Sequence, residues 1–229
     1  MPKNTNPNQI YKKMGAKTFV ELLDTYFSSS RLIINFERYD KNRPIGNRKT
    51  EQIMIYMTFQ SVLRTTYSIL TTGSLLRDLD MTPQSSITLS QGGTSAKKLQ
   101  RYQKSRQDGN GVYRLLEISK GSKVPYVLTA KSGPGMEQGK GLIVPIRGSK
   151  PDAQISVGFS MNDLIEFALM MQNSISAFMA AKYVFRVYNP DKDFPSIQAH
   201  PNNTTSEQSS YSQNSQTMQQ NNYNQQNYE

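Results

Sequence analysis

The stretch 111–184 constrains the fold more than any other part of the chain. It reads GVYRLLEIS, PYVLTAKS, GKGLIVPIR and AQISVGF, then a long apolar-striped segment. Alternating side chains and β-branched residues predict strands over 112–119, 125–131, 142–147 and 155–159. KGSK at 120–123 reads as a tight hairpin loop, and the glycine-rich 132–141 as a longer one. Ser160, with Asp163 three residues later, approximates a capping box opening a helix to about residue 182. Leu164, Ala168, Met171, Ile175 and Phe178 form its apolar stripe, widened by Ile165, Leu169 and Met179. The methionines here read as core filling. Residues 183–188 predict a closing strand that Pro190 ends. Four strands and a helix give an α+β fold, an antiparallel sheet with packing helices; an OB-like β-barrel with helices is the alternative.

The chain upstream is harder to read. Phe19, Leu22, Leu23 and Tyr26 fall at i, i+3, i+4 and i+7, which predicts a short helix over 18–26. Residues 31–39 alternate as a strand. A loop follows, carrying Lys41, Arg43, Arg48 and Lys49. Residues 52–59 predict a strand, then a helical or extended continuation to 70. A further strand is expected at 86–90, a flexible GGTS at 92–95 and a basic short helix or loop over 96–106. Leu99 and Tyr102 would anchor that last segment. The polar residues 1–15 are expected to be disordered. So is the tail 196–229, which from Ala199 holds seven Asn and seven Gln and almost no aliphatic residue. Between them, 16–190 is expected to fold as one domain or as two halves, 16–110 and 111–190.

The net charge of +10 is unevenly placed. Residues 97–150 hold 12 Lys/Arg against 3 Asp/Glu, whereas 151–229 hold 3 against 7. Such a basic block suits a polyanion, bound through counterion release. Lys97, Lys98, Arg101, Lys104, Arg106, Arg114, Lys120, Lys123, Lys131, Lys140 and Arg147 are candidate phosphate contacts. Tyr102, Tyr113 and Tyr126 lie among them as candidate base-stacking groups. Stacking needs open bases, which favours single strands. No helix–turn–helix, zinc-finger or basic-zipper pattern points to duplex reading.

Catalysis is poorly supported. Cysteine is absent and the one histidine, His200, opens the polar tail. Without a Cys/His cluster no structural zinc is expected. Asp78 and Asp80 sit in no metal motif. Gly135, Gly139 and Lys140 do not meet the Walker A spacing. No enzyme, no catalytic residue, no metal and no cofactor are therefore expected. No run of 18 apolar residues occurs, so no membrane span is expected, and MPKNTNPNQIYKK does not open a signal peptide. Absence of cysteine fits a reducing compartment, so the expected place is cytoplasmic, nucleoid- or DNA-associated.

The order of four antiparallel strands and a helix in 111–182 resembles the PC4-type single-stranded-DNA-binding unit. Whirly proteins resemble two such units in one chain, and residues 31–110 would hold the first. The KGKAAL-like motif of plant whirly proteins is absent; GKGLIVPIR at 139–147 is its nearest counterpart. The resemblance implies single-stranded DNA bound across a curved sheet by a homo-oligomer. The expected function is sequence-nonspecific binding and protection of single-stranded DNA in replication, recombination or DNA transfer. An RNA-binding protein and a structural assembly protein, oligomerising through the 160–182 helix, are the alternatives.

Overall fold

The computed structural model describes residues 6–44, 46–70, 77, 86–139 and 141–195. Lys140, Asp78, Asp80, His200, residues 1–5 and the tail 196–229 lie outside the described residues.

Two antiparallel sheets organise the chain. Strands β1 (Gln9–Met14), β2 (Thr18–Thr25), β3 (Arg31–Tyr39) and β4 (Lys49–Met57) form the first in sequence order, with a one-turn α1 (Tyr26–Ser29) inserted. Helix α2 (Phe59–Leu70) follows. The second sheet has β5 (Ser86–Thr94), β6 (Gly111–Lys120), β7 (Tyr126–Gln138) and β8 (Leu142–Pro145) in that order, with β9 (Ala153–Phe159) also on β7. Helix α3 (Ala96–Arg101) lies between β5 and β6, and the long α4 (Met161–Tyr188) closes the chain. The fold is thus α+β, with strands followed by a helix twice. The sheets divide between residues 70 and 86, not at 110, because the strand at 86–94 pairs with β6.

One core joins both sheets and both long helices. Val20, Leu22, Ile34, Phe36, Ile53 and Ile55 share one cluster with Leu116, Ile118, Leu128, Ile155 and Phe159, and with Phe167, Met171 and Ile175 of α4. Period-2 alternation puts these residues on one face of each strand.

Four local expectations fail for physical reasons. Residues 18–25 are a strand, not a helix. Val20 and Leu22 face the core, but Glu21 and Leu23 are buried on the other face as well. A strand covered on both sides loses its alternation, and a short apolar run then mimics helical spacing. Residues 9–14, expected disordered, pair with β2. Tyr11 anchors them edge-on to Phe167, with ring centroids 5.6 Å apart. Residues 183–188 extend α4 instead of forming a strand. Phe185 packs on Phe194, which also meets Phe178 and Phe27, so an aromatic cluster holds this helix end. Residues 92–94 and 132–138, expected as loops, are strand.

The last difference explains the glycines. The β7–β8 hairpin curls back over β6 toward β5 and encloses a satellite core of Tyr113, Ile143 and Leu99. A Cβ on Gly93 would stand 2.1 Å from the Val112 carbonyl oxygen and 2.9 Å from Ile143 Cβ; one on Gly135 would stand 2.6 Å from Ile143 Cγ2. Backbones this close need the missing side chain.

The start of α4 carries the expected capping box. The Ser160 hydroxyl accepts from the Asp163 amide at 3.2 Å, and the Asp163 carboxylate accepts from the Ser160 amide at 2.9 Å. Lys13 pairs with the same carboxylate at 2.9 Å, tying β1 to α4. The Lys13 ammonium first, and the Ser160 hydroxyl with it, hold the Asp163 carboxyl down to about 2. A lowered pKa adds stability above the ordinary carboxylate value and loses it as pH falls through the folded one. Resistance to urea should therefore drop between about pH 4 and pH 2. Asp163→Asn should flatten that step, and an unchanged step would show that other carboxylates set it.

Candidate nucleic-acid interface

The basic segment after β5 is built by local rules. Ser95 caps α3 by accepting from the Lys98 amide at 3.4 Å. Leu99 is buried beneath the helix. The helix ends in a Schellman motif: the Gln103 amide donates to the Gln100 carbonyl and the Lys104 amide to the Leu99 carbonyl, each at 3.0 Å. Gln103 takes the left-handed conformation, φ 56°, where glycine is usual. Strain of this kind persists only where the surroundings hold it. Here it turns the chain so that Lys104 follows Lys97, Lys98 and Arg101 at one end of the second sheet, all four exposed. Arg147 is exposed in the loop after β8, and Pro145 of that strand pairs with Gly135 at the same end.

The structure sorts the other candidates. Arg106 does not face solvent as a phosphate contact. Its guanidinium donates to both carboxylate oxygens of Asp108, at 3.0 Å from Nε and 2.9 Å from Nη2, and pairs with Asp152. Those carboxylates, Asp108 foremost, push the Arg106 pKa above its usual value, and Arg106 in turn holds Asp108 well below its own. Lys131 pairs with Glu117 at 2.6 Å, across the β6–β7 ladder. Tyr113 is 3% exposed in the satellite core and presents no ring to a base. Arg114 is half-buried and donates to the Thr94 hydroxyl at 3.2 Å.

Lys120, Lys123 and Tyr126 gather at the far end of the same sheet, around the β6–β7 hairpin. Lys120 and Tyr126 face each other in the ladder there, and Gly111 and Gly135 do so at the end near α3. The ten residues of β6 set these two basic ends about 30 Å apart.

The first sheet differs. Several of its cations are matched by carboxylates: Lys12 with Glu21, Arg38 with Glu51, Lys49 with Glu37 and, in the loop, Arg43 with Asp40. Asn35 donates to Glu21 at 2.7 Å and accepts from Gln52 at 2.8 Å, so its outer face is a closed polar network. Residues 95–107, by contrast, contain no Asp or Glu. Tyr56 is an aromatic group that the sequence reading passes over. It is 39% exposed on β4, with the Arg114 guanidinium 5.9 Å from its ring centroid. Its signal was the alternation of Ile53, Ile55 and Met57 inward, which turns Met54 and Tyr56 outward.

No family model matches the chain, and no curated relative does. Solved structures similar to it include the two that follow. One is MRP1/MRP2 of Trypanosoma brucei, with 10% identity, 79% of this chain and 88% of that chain covered, and a TM-score of 0.38. The other is WHY1 from Arabidopsis thaliana, with 8% identity, 83% and 95% covered, and a TM-score of 0.40. Likenesses this remote bear on neither activity nor partner, which rest on the residues themselves.

Proposed function

We propose that the chain is a sequence-nonspecific single-stranded-DNA-binding protein and not an enzyme. The observation that carries this reading is the exposed run Lys97, Lys98, Arg101 and Lys104, set on a capped turn with no carboxylate among residues 95–107. Exposed cations at this density draw a phosphate backbone and release its counterions. Among the described residues, the basic helix is not built for duplex reading. Helix α3 has six residues, about 9 Å, too short to lie along a major groove as a recognition helix. Tyr102 and Tyr126, both half-buried, lie beside the cations at the two ends of the sheet. Protection of exposed strands in replication, recombination or transfer, in a DNA-associated cytoplasmic setting, is the role that follows.

The test is a fluorescence-anisotropy series with matched single-stranded DNA, duplex DNA and RNA between about 50 and 200 mM salt. Single-stranded DNA should bind most tightly, with affinity falling linearly on a log–log salt plot. No binding at low salt would end the nucleic-acid reading. Equal affinity for duplex would end its single-strand part, and tighter binding of RNA would move the partner to that polymer.

A further inference from the structure

The solvent face of α4 carries an apolar strip that none of the described residues covers. Ile165 is 37% exposed, Leu169 44%, Tyr183 71% and Val187 57%. At 100° per residue these four and Ser176 fall within about 40° of one another around the helix. Leu164, Phe167, Met171 and Ile175 occupy the opposite side, built into the core. The helix is therefore apolar on two opposed faces over 28 residues, about 42 Å, and only one face is buried.

The strip reads the same from either end. Leu169 and Tyr183 lie seven residues to either side of Ser176, and Ile165 and Val187 eleven. Large apolar groups sit at the ends, and small or polar ones at the middle: Asn173, Ser176 and Ala180. The charges are arranged with the opposite symmetry. Glu166 lies in the first half of the helix, and Lys182 and Arg186 in the second; Asp163, already held by Lys13 and the cap, takes no part. An antiparallel partner would set the acidic half of one helix beside the basic half of the other and oppose their macrodipoles. A parallel partner would set like beside like.

We propose that two copies of this chain pair antiparallel through the outer face of α4, with the two-fold axis at Ser176. Ile165 then meets Val187 of the second copy, and Leu169 meets its Tyr183. The small residues at the centre let the axes close to about 8–10 Å. A bilayer does not fit this face, although α4 has the length and apolarity of a membrane span. Insertion would strip Phe167, Met171 and Ile175 from the core, and it would place Gln172, Asn173 and Ser176 near mid-membrane, where polar groups are costly. The pairing uses no residue of the basic surface, so it stands or falls independently of nucleic-acid binding.

The chain has no cysteine, so introduced thiols report proximity without background. At the axis, facing Cα atoms approach to about 4–6 Å, within disulfide range. Ser176→Cys should cross-link to a covalent dimer under mild oxidation. Ile165→Cys and Val187→Cys should each stay unlinked alone and should cross-link when mixed. Leu169→Glu should turn a sedimenting dimer into a monomer with its helical circular dichroism retained. A native chain that sediments as a monomer at micromolar concentration would overturn the proposal. So would Ile165→Cys linking to itself as readily as Ser176→Cys, or depletion of the chain by phosphatidylcholine vesicles with Ser176→Cys unlinked.

Discussion

Alanine at Lys97, Lys98, Arg101 and Lys104 together should lower affinity for single-stranded DNA by about two orders of magnitude near 0.15 M salt. Each single-strand phosphate contact contributes about 0.7 to the slope of log affinity against log salt, so losing four reduces the slope by about 3. The joint change in affinity and slope identifies the loss as ionic, whereas a folding defect would remove binding without that relation. Arg106→Ala is the matched control from the same segment. Its guanidinium is already committed to Asp108 and Asp152, so the slope should stay as in the parent. Anisotropy titrations at several salt concentrations measure both. A parental slope in the quadruple variant would remove α3 and Lys104 from the interface. A slope reduced by Arg106→Ala would mean that this side chain exchanges its carboxylates for phosphate.

The second large effect is on stability. Gly93→Ala places a methyl group 2.1 Å from the Val112 carbonyl oxygen, on a ladder strand that cannot retreat without losing its pairing to β6. Overpacking of this kind costs about 1–3 kcal/mol, and contact with backbone puts this site at the upper end. For a domain of this size the melting temperature moves about 2–4 °C per kcal/mol. The neighbouring Gly92 has nothing within 4 Å of its would-be Cβ. Gly92→Ala should therefore melt within about 0.5 kcal/mol of the parent. Calorimetry on the pair separates the steric demand at residue 93 from the general cost of altering a strand glycine. Equal melting temperatures would show that Gly93 is not pressed against the Val112 carbonyl and Ile143 as described.

What could be read in advance follows from the range of each interaction. The strands of 111–159 and the capped helix after them are legible because their signals are local: alternation, β-branching, and a Ser and an Asp three residues apart. Strand β1 is not, since its hold on the fold is Tyr11 against Phe167 and Lys13 on Asp163, both far along the chain. The site shows the same division. The cations of α3 and the anchoring Leu99 are visible in the segment itself. The neutralisation of Arg106 by Asp152 spans 46 residues, and that of Lys131 by Glu117 depends on strand register. Alternation assigns Tyr113 a face, but it does not say what folds over that face. Gly93, Gly133 and Gly135 resemble flexible loop residues in sequence; they mark close backbone approach instead.

Strand β7 carries thirteen residues without interruption and pairs β9 with its first half and β8 with its second. One continuous rod thus passes beneath both basic ends of the second sheet. Neither end can swing toward or away from the other without breaking that rod. On the proposed function, these two basic ends would stand at a fixed interval before any polymer arrives. The ordering cost of association would then fall mainly on the nucleic acid, whose flexible backbone would match a gauge already set.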